Sequence, residues 1–131
     1  MLDSDTLEFL QLAATAATAK KAFEIAVFDV SELTSFTDAF LLCSTSSGRH
    51  LEAVATEVQR RLRDNKRKPL HAEGTSGTTW VLVDYGDFII HIFTEEQRSF
   101  FNLDALWGDA PQMTLEDFGI DESTEEPATP S

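Results

Sequence analysis

The chain has 131 residues with 23 acidic and 10 basic side chains, a formal net charge of −13 before histidine is counted. A hydrophobic content of 42%, with ten Phe and two Trp, excludes a disordered acidic protein and supports one domain with a sizeable core. The single cysteine, Cys43, excludes an internal disulfide and a thiolate metal cluster, so a reducing compartment is the natural setting. The charge argues against a large nucleic-acid footprint, because phosphate contacts need Lys and Arg, and it favours a basic protein partner. No apolar run approaches the ~20 residues of a membrane helix, so no membrane role is expected. Asp3, Asp5 and Glu8 stand where a signal peptide carries positive charge, and the cytoplasm is the expected location.

In chain order the folded part reads helix, two strands, helix, three strands, helix. Asp3 or Ser4 caps a first helix running to about Lys21, with Leu7, Leu10 and several alanines turned inward. Phe23 to Val30 and Ala39 to Ser44 are apolar runs of strand length. Ser46 or Ser47 then caps an amphipathic helix whose Leu51, Val54, Ala55, Val58 and Leu62 recur at helical spacing, with Pro69 as its stop. Arg60, Arg61, Arg63, Lys66, Arg67 and Lys68 crowd its far end, either as a solvated, dipole-compensating terminus or as an RNA contact. Leu70 to Glu73 and a Gly74 to Gly77 loop lead into a hairpin, followed by a short helix with Leu103, Leu106 and Trp107 packed inward and Gly108 as its cap. The folded domain is placed at residues 1–110. An acidic, mobile tail is placed at 111–131, of which Met113, Leu115, Phe118 and Ile120 could dock a short piece.

The hairpin from Trp80 to Phe93 is the most informative segment. With Tyr85 and Gly86 as its loop, Asp84 pairs with Asp87, Val83 with Phe88, Leu82 with Ile89, Val81 with Ile90 and Trp80 with His91. One face then collects Val81, Val83, Phe88, Ile90 and Ile92, which is pure core. The other collects Trp80, Leu82, Asp84, Asp87, Ile89 and His91, and reads as a presented surface rather than a second core, since unpaired charge is expensive to bury. The two aspartates are either the ends of a turn or part of that surface. Trp80 with His91 reads as a recognition patch, because exposed Trp is enriched at binding hot spots.

A second candidate lies in the turn from Ser44 to His50. Arg49 and His50 at a helix start either bind an anion such as phosphate or make a structural salt bridge. Asp84 with Asp87 is the only compact carboxylate pair that could serve metal-dependent phosphoryl transfer, and two acids one turn apart are a weak signal for it. Cys43, in an apolar strand, reads as buried and inert.

Several ordered segments together resemble the Iojap family, whose bacterial members are the ribosomal silencing factors, RsfS. They are Thr37 to His50, Lys68-Pro69-Leu70, Glu73-Gly74, the hairpin from Trp80 to Phe93 with its Asp-Tyr-Gly-Asp turn, and Asn102 to Asp109; the likeness spans roughly Leu2 to Ala110. Thr45, where the family usually has Gly, and Ala39, where an aromatic is common, depart from it. The resemblance implies a single α/β (α+β) domain with a mixed five-stranded sheet packed with helices in the order α-β-β-α-β-β-β-α. Its core would be similar to a nucleotidyltransferase but without the catalytic motif, and so it would be neither an enzyme nor a cofactor binder. It further implies binding to the large ribosomal subunit through universal large-subunit ribosomal protein fourteen, steric blocking of small-subunit joining, and repression of translation when nutrients are short.

Carried over by position, the interface is Trp80, Asp84, Gly86, Asp87 and His91 with Tyr85 at its edge, and Arg49 with His50 forms a secondary site. A contact of the basic cluster with ribosomal RNA and a homodimer of the free protein stay open. The alternatives are a nucleotide-binding or nucleotidyltransferase-like enzyme using Asp84, Asp87 and Arg49, and a homodimeric adaptor.

Overall fold

In the computed structural model, described over residues 2–74, 78–113 and 115–118, a mixed sheet carries two long helices on one face and a shorter C-terminal segment on the other. Helix α1 (Ser4–Ala19) starts at Asp3, whose side chain accepts the Thr6 backbone N–H at 2.9 Å. Helix α2 (Gly48–Asp64) starts at Ser47, whose hydroxyl accepts the His50 N–H. Both long helices end in the same way, with Lys21 and Lys66 in the left-handed region at φ 66° and 67°. Ala22 N–H then bonds to Ala17 O, and Arg67 N–H to Leu62 O, the pattern of a Schellman motif. Pro69 is therefore not the stop of α2. The chain turns out of the helix at Asn65 and Lys66, because the left-handed residue closes off the last carbonyls first.

Among the described residues there are six strands, β1 (Phe23–Asp29), β2 (Ala39–Thr45), β3 (His71–Glu73), β4 (Trp80–Asp84), β5 (Phe88–Thr94) and β6 (Gln112–Met113), in the spatial order β3-β4-β5-β2-β1-β6. Every neighbouring pair is antiparallel except β2 with β5. All seven residues of β2 are buried, as a central strand covered on both faces requires. On the helix side the core gathers Leu10 and the alanines of α1, Leu51, Val54, Val58 and Leu62 of α2, and Leu41, Cys43, Val83, Phe88, Ile90 and Ile92 of the sheet. The Cys43 thiol is fully enclosed there, and burial pushes it up to about 12.

After β5 come α3 (Glu95–Phe101), capped by Thr94, and α4 (Leu103–Leu106), joined by Asn102 at φ 50°. This segment crosses the sheet face opposite the helices and delivers the chain to β6, which pairs with β1 at Val27 and Phe28. A 3-10 turn at Leu115–Phe118 follows, with both named side chains in the helix-side core and the Phe118 carbonyl accepting from Gln11 Nε2. The five expected strands are present and a sixth is added. The boundary expected at Ala110 falls inside the packed body, because Leu115 and Phe118 are buried and Met113 is partly buried against them, in a stretch whose acids Glu116 and Asp117 are exposed. Ile120 and the rest of the expected tail lie outside the described residues.

Candidate docking face

The hairpin is offset by two residues from its expected pairing: Trp80 lies opposite Phe93, Leu82 opposite His91 and Asp84 opposite Ile89. The loop residues are Gly86 and Asp87, closed by the Tyr85 N–H to Phe88 O bond at 2.9 Å. Gly86, at φ 95°, takes the first loop position, where a two-residue turn needs positive φ. The Asp84 carboxylate accepts the Gly86 N–H at 2.8 Å and locks that choice. An offset of two preserves which face each side chain takes, so Trp80, Leu82 and Asp84 share a face with Ile89, His91 and Phe93.

On this face the Trp80 indole stacks on Phe93 and His91 at centroid distances of 5.4 and 5.9 Å. Trp80 Nε1–H donates to His91 Nδ1 at 3.2 Å. Since the indole nitrogen only donates, His91 is the neutral tautomer with its proton on Nε2. His91 is only 6% exposed, and burial pulls its pKa down to about 4. Phe40 closes the other side of the imidazole at 5.3 Å and in turn meets Trp107 at 5.1 Å.

The expectation of a presented surface rather than a second core is therefore corrected. Phe28, Val30, Phe40, Leu42, Ile89, His91 and Phe93 are buried beneath Leu103, Trp107 and Ala110, and only the β4 side stays open, with Trp80, Leu82 and Asp84 half-buried at its rim. The returning C-terminal segment supplies the cover. Leu106, expected inside, is one of the exposed large apolar residues.

Two expected interface residues belong elsewhere. Asp87 turns to the helix side, where its carboxylate accepts from Thr6 Oγ1 at 2.7 Å and pairs with Arg67. Tyr85 is 3% exposed inside the helix-side core, stacked on Phe88 at 4.9 Å, with its hydroxyl buried and without a hydrogen-bond partner among the described residues; burial raises its pKa to about 12. The two-residue offset explains both, since it moves Asp87 off the strand and Tyr85 into the pairing. It also removes the compact carboxylate pair: Asp84 serves its own turn on one side of the sheet, Asp87 an ion pair on the other. That geometry takes away the basis of the phosphoryl-transfer alternative.

Of the secondary pair, His50 is engaged within the fold. His50 Nδ1 accepts the Ser46 N–H at 2.9 Å, so Nε2 donates to the Lys20 carbonyl at 2.7 Å, and the ring stitches the start of α2 to the end of α1. With both ring nitrogens engaged, His50 has none left for an anion. Arg49 is exposed, beside Lys20 and Glu52 at a shallow hollow.

Half of the basic cluster is also committed. Arg60 and Arg61 both hold Glu57, at 2.7 and 2.6 Å, keeping its carboxyl below the usual range. Arg67 lies over the rings of Phe9, Tyr85 and Phe88 while it pairs with Asp87. Residues that the sequence did not single out include Arg98, whose fork grips Asp104 at 2.7 and 3.0 Å and also reaches Ser44 Oγ at 3.0 Å and the Glu24 carbonyl. It pins the covering segment to β1 and β2, and an arginine three residues into a helix carries no local sign of that role. Phe93 was findable, being two residues beyond His91 on the same alternation.

The described residues thus form a small mixed α/β domain with an aromatic face that is left half-open on its β4 side. Residues 3–131 match the family profile described as "Ribosomal silencing factor during starvation", RsfS, and the chain belongs to that family. It is 37% identical over 113 residues to the ribosomal silencing factor RsfS of Bacillus subtilis, covering 86% of this chain and 95% of that one. It is 30% identical over 113 residues to the chloroplastic protein Iojap of Zea mays, spanning 49% of that longer protein. A crystal structure of a Chromobacterium violaceum protein superposes with a TM-score of 0.74 at 33% identity, covering 77% of this chain and 84% of that one.

Proposed function

We propose that this chain is a cytoplasmic, non-enzymatic translation regulator that docks on the large ribosomal subunit through universal large-subunit ribosomal protein fourteen. Bound there, it occupies space needed by the small subunit and represses translation when nutrients are short. Membership of a family named for ribosomal silencing supports the ribosome as target. The observation that carries the docking reading is the half-exposed Trp80, seated on His91 and Phe93 at the open rim of the sheet. An indole held by stacking and only half-buried is the form hot-spot residues take. Charge points the same way. Strands β3, β4 and β5 contain no lysine or arginine, and Glu73 and Asp84 are their acids, so the face is suited to a basic protein.

The test is co-sedimentation of purified protein with large subunits. Trp80→Ala is expected to lower affinity at least about tenfold while circular dichroism shows the domain still folded. Undiminished binding by that variant would remove Trp80 from the interface.

A further inference from the structure

At the hairpin tip, an exposed phenylalanine stands on a loop that is tied down at both ends. The segment from Ser31 to Asp38 links β1 to β2. It is held at its start by the Leu33 and Thr34 N–H groups on the Val30 carbonyl, and at its end by Thr37 Oγ1 on Gly86 O and Asp38 N–H on Asp87 O, both 3.0 Å. Between these anchors Phe36 is 62% exposed, its ring 6.1 Å from Phe40. Phe40 carries the contact inward to Trp107 and His91. Phe36 therefore extends the aromatic row of the Trp80 face to the strand ends beside the hairpin tip, and it does so from a pre-organised backbone. Glu32 and Asp38 flank it, and the loop has no lysine or arginine.

We propose that Phe36, backed by Phe40 and Trp107, is an apolar lip of the docking face and a determinant of which partner fits. It would seat against an apolar side chain of the basic large-subunit protein, with Glu32, Asp38 and Asp84 set opposite its lysines and arginines. This inference rests on the large-subunit reading above and adds a second anchor to it. A pre-organised aromatic loses little conformational freedom on binding, and a surrounding of one charge sign selects for the opposite one.

The experiment titrates full-length wild type, Phe36→Ala and Phe36→Leu against purified large ribosomal subunits. Light scattering of each free protein and its melting temperature are read alongside. The expected result is wild-type binding, a loss of about tenfold in Phe36→Ala at unchanged melting temperature, and Phe36→Leu within about threefold, since leucine keeps most of the apolar area. Equal binding by Phe36→Ala overturns the inference and leaves the docking reading standing. A variant that alters only self-association makes a second copy of the chain the occupant and also overturns it. No binding by wild type removes both.

Discussion

His91 shows how one residue joins the two sides of the problem. Its ring is neutral because it is buried between Trp80 and Phe40, and its pKa of about 4 lies below the ~6.5 of an unfolded chain. Between those values the unfolded chain takes up a proton that the folded one refuses, so stability falls as pH drops through the window. Urea unfolding is expected to show about 2 kcal/mol less stability at pH 5 than at pH 7 from this group, and His91→Gln should remove most of that difference. An unchanged difference in the variant would mean that the imidazole titrates freely in the fold. The shared face of Trp80 and His91 was legible from strand alternation alone. The burial of His91 was not, since it depends on Trp107, sixteen residues further on, and on the Arg98–Asp104 clamp that holds the covering segment down.

Among the elements, the two long helices were readable from capping chemistry and periodicity, and their ends were not. A Schellman ending on lysine carries none of the glycine signal by which such endings are usually recognised, and Pro69 offered a more conspicuous but later stop. Lys66→Gly is expected to stabilise the fold by roughly 0.5–1 kcal/mol, because glycine takes positive φ without the strain a Cβ brings, offset in part by its greater freedom when unfolded. A fall in the thermal midpoint would mean that the lysine side chain makes a compensating contact. The hairpin shows the same limit at its tip. Tyr85-Gly86 and Gly86-Asp87 are both plausible loops by composition, and the choice is made by the Asp84 carboxylate on the Gly86 N–H and by Arg67, which pulls Asp87 to the helix side from 20 residues away.

Over the whole molecule, charge is sorted by layer. Nine of the ten basic residues lie between Lys20 and Lys68, in and around the helix layer, and the tenth, Arg98, is clamped to Asp104. The open side of the sheet and the loop at its tip carry acids and aromatics instead. A chain with a net charge of −13 thus has a polarity as well as a sign, and the layer that packs the core is also the one that would face away from a basic partner. The net charge was plain in the composition; its sorting emerges only when β3, β4 and β5 are seen to lie together at one side of the sheet.

The most direct measurement of the central claim is subunit joining. Large subunits are incubated with the protein, small subunits are added at joining levels of magnesium, and the joined ribosome is read on a sucrose gradient. The expected result is that the protein travels with the large subunit and the joined peak falls in proportion to its occupancy, with Trp80→Ala restoring it. A joined peak that keeps its full height while the protein is bound to the large subunit would contradict silencing by occlusion.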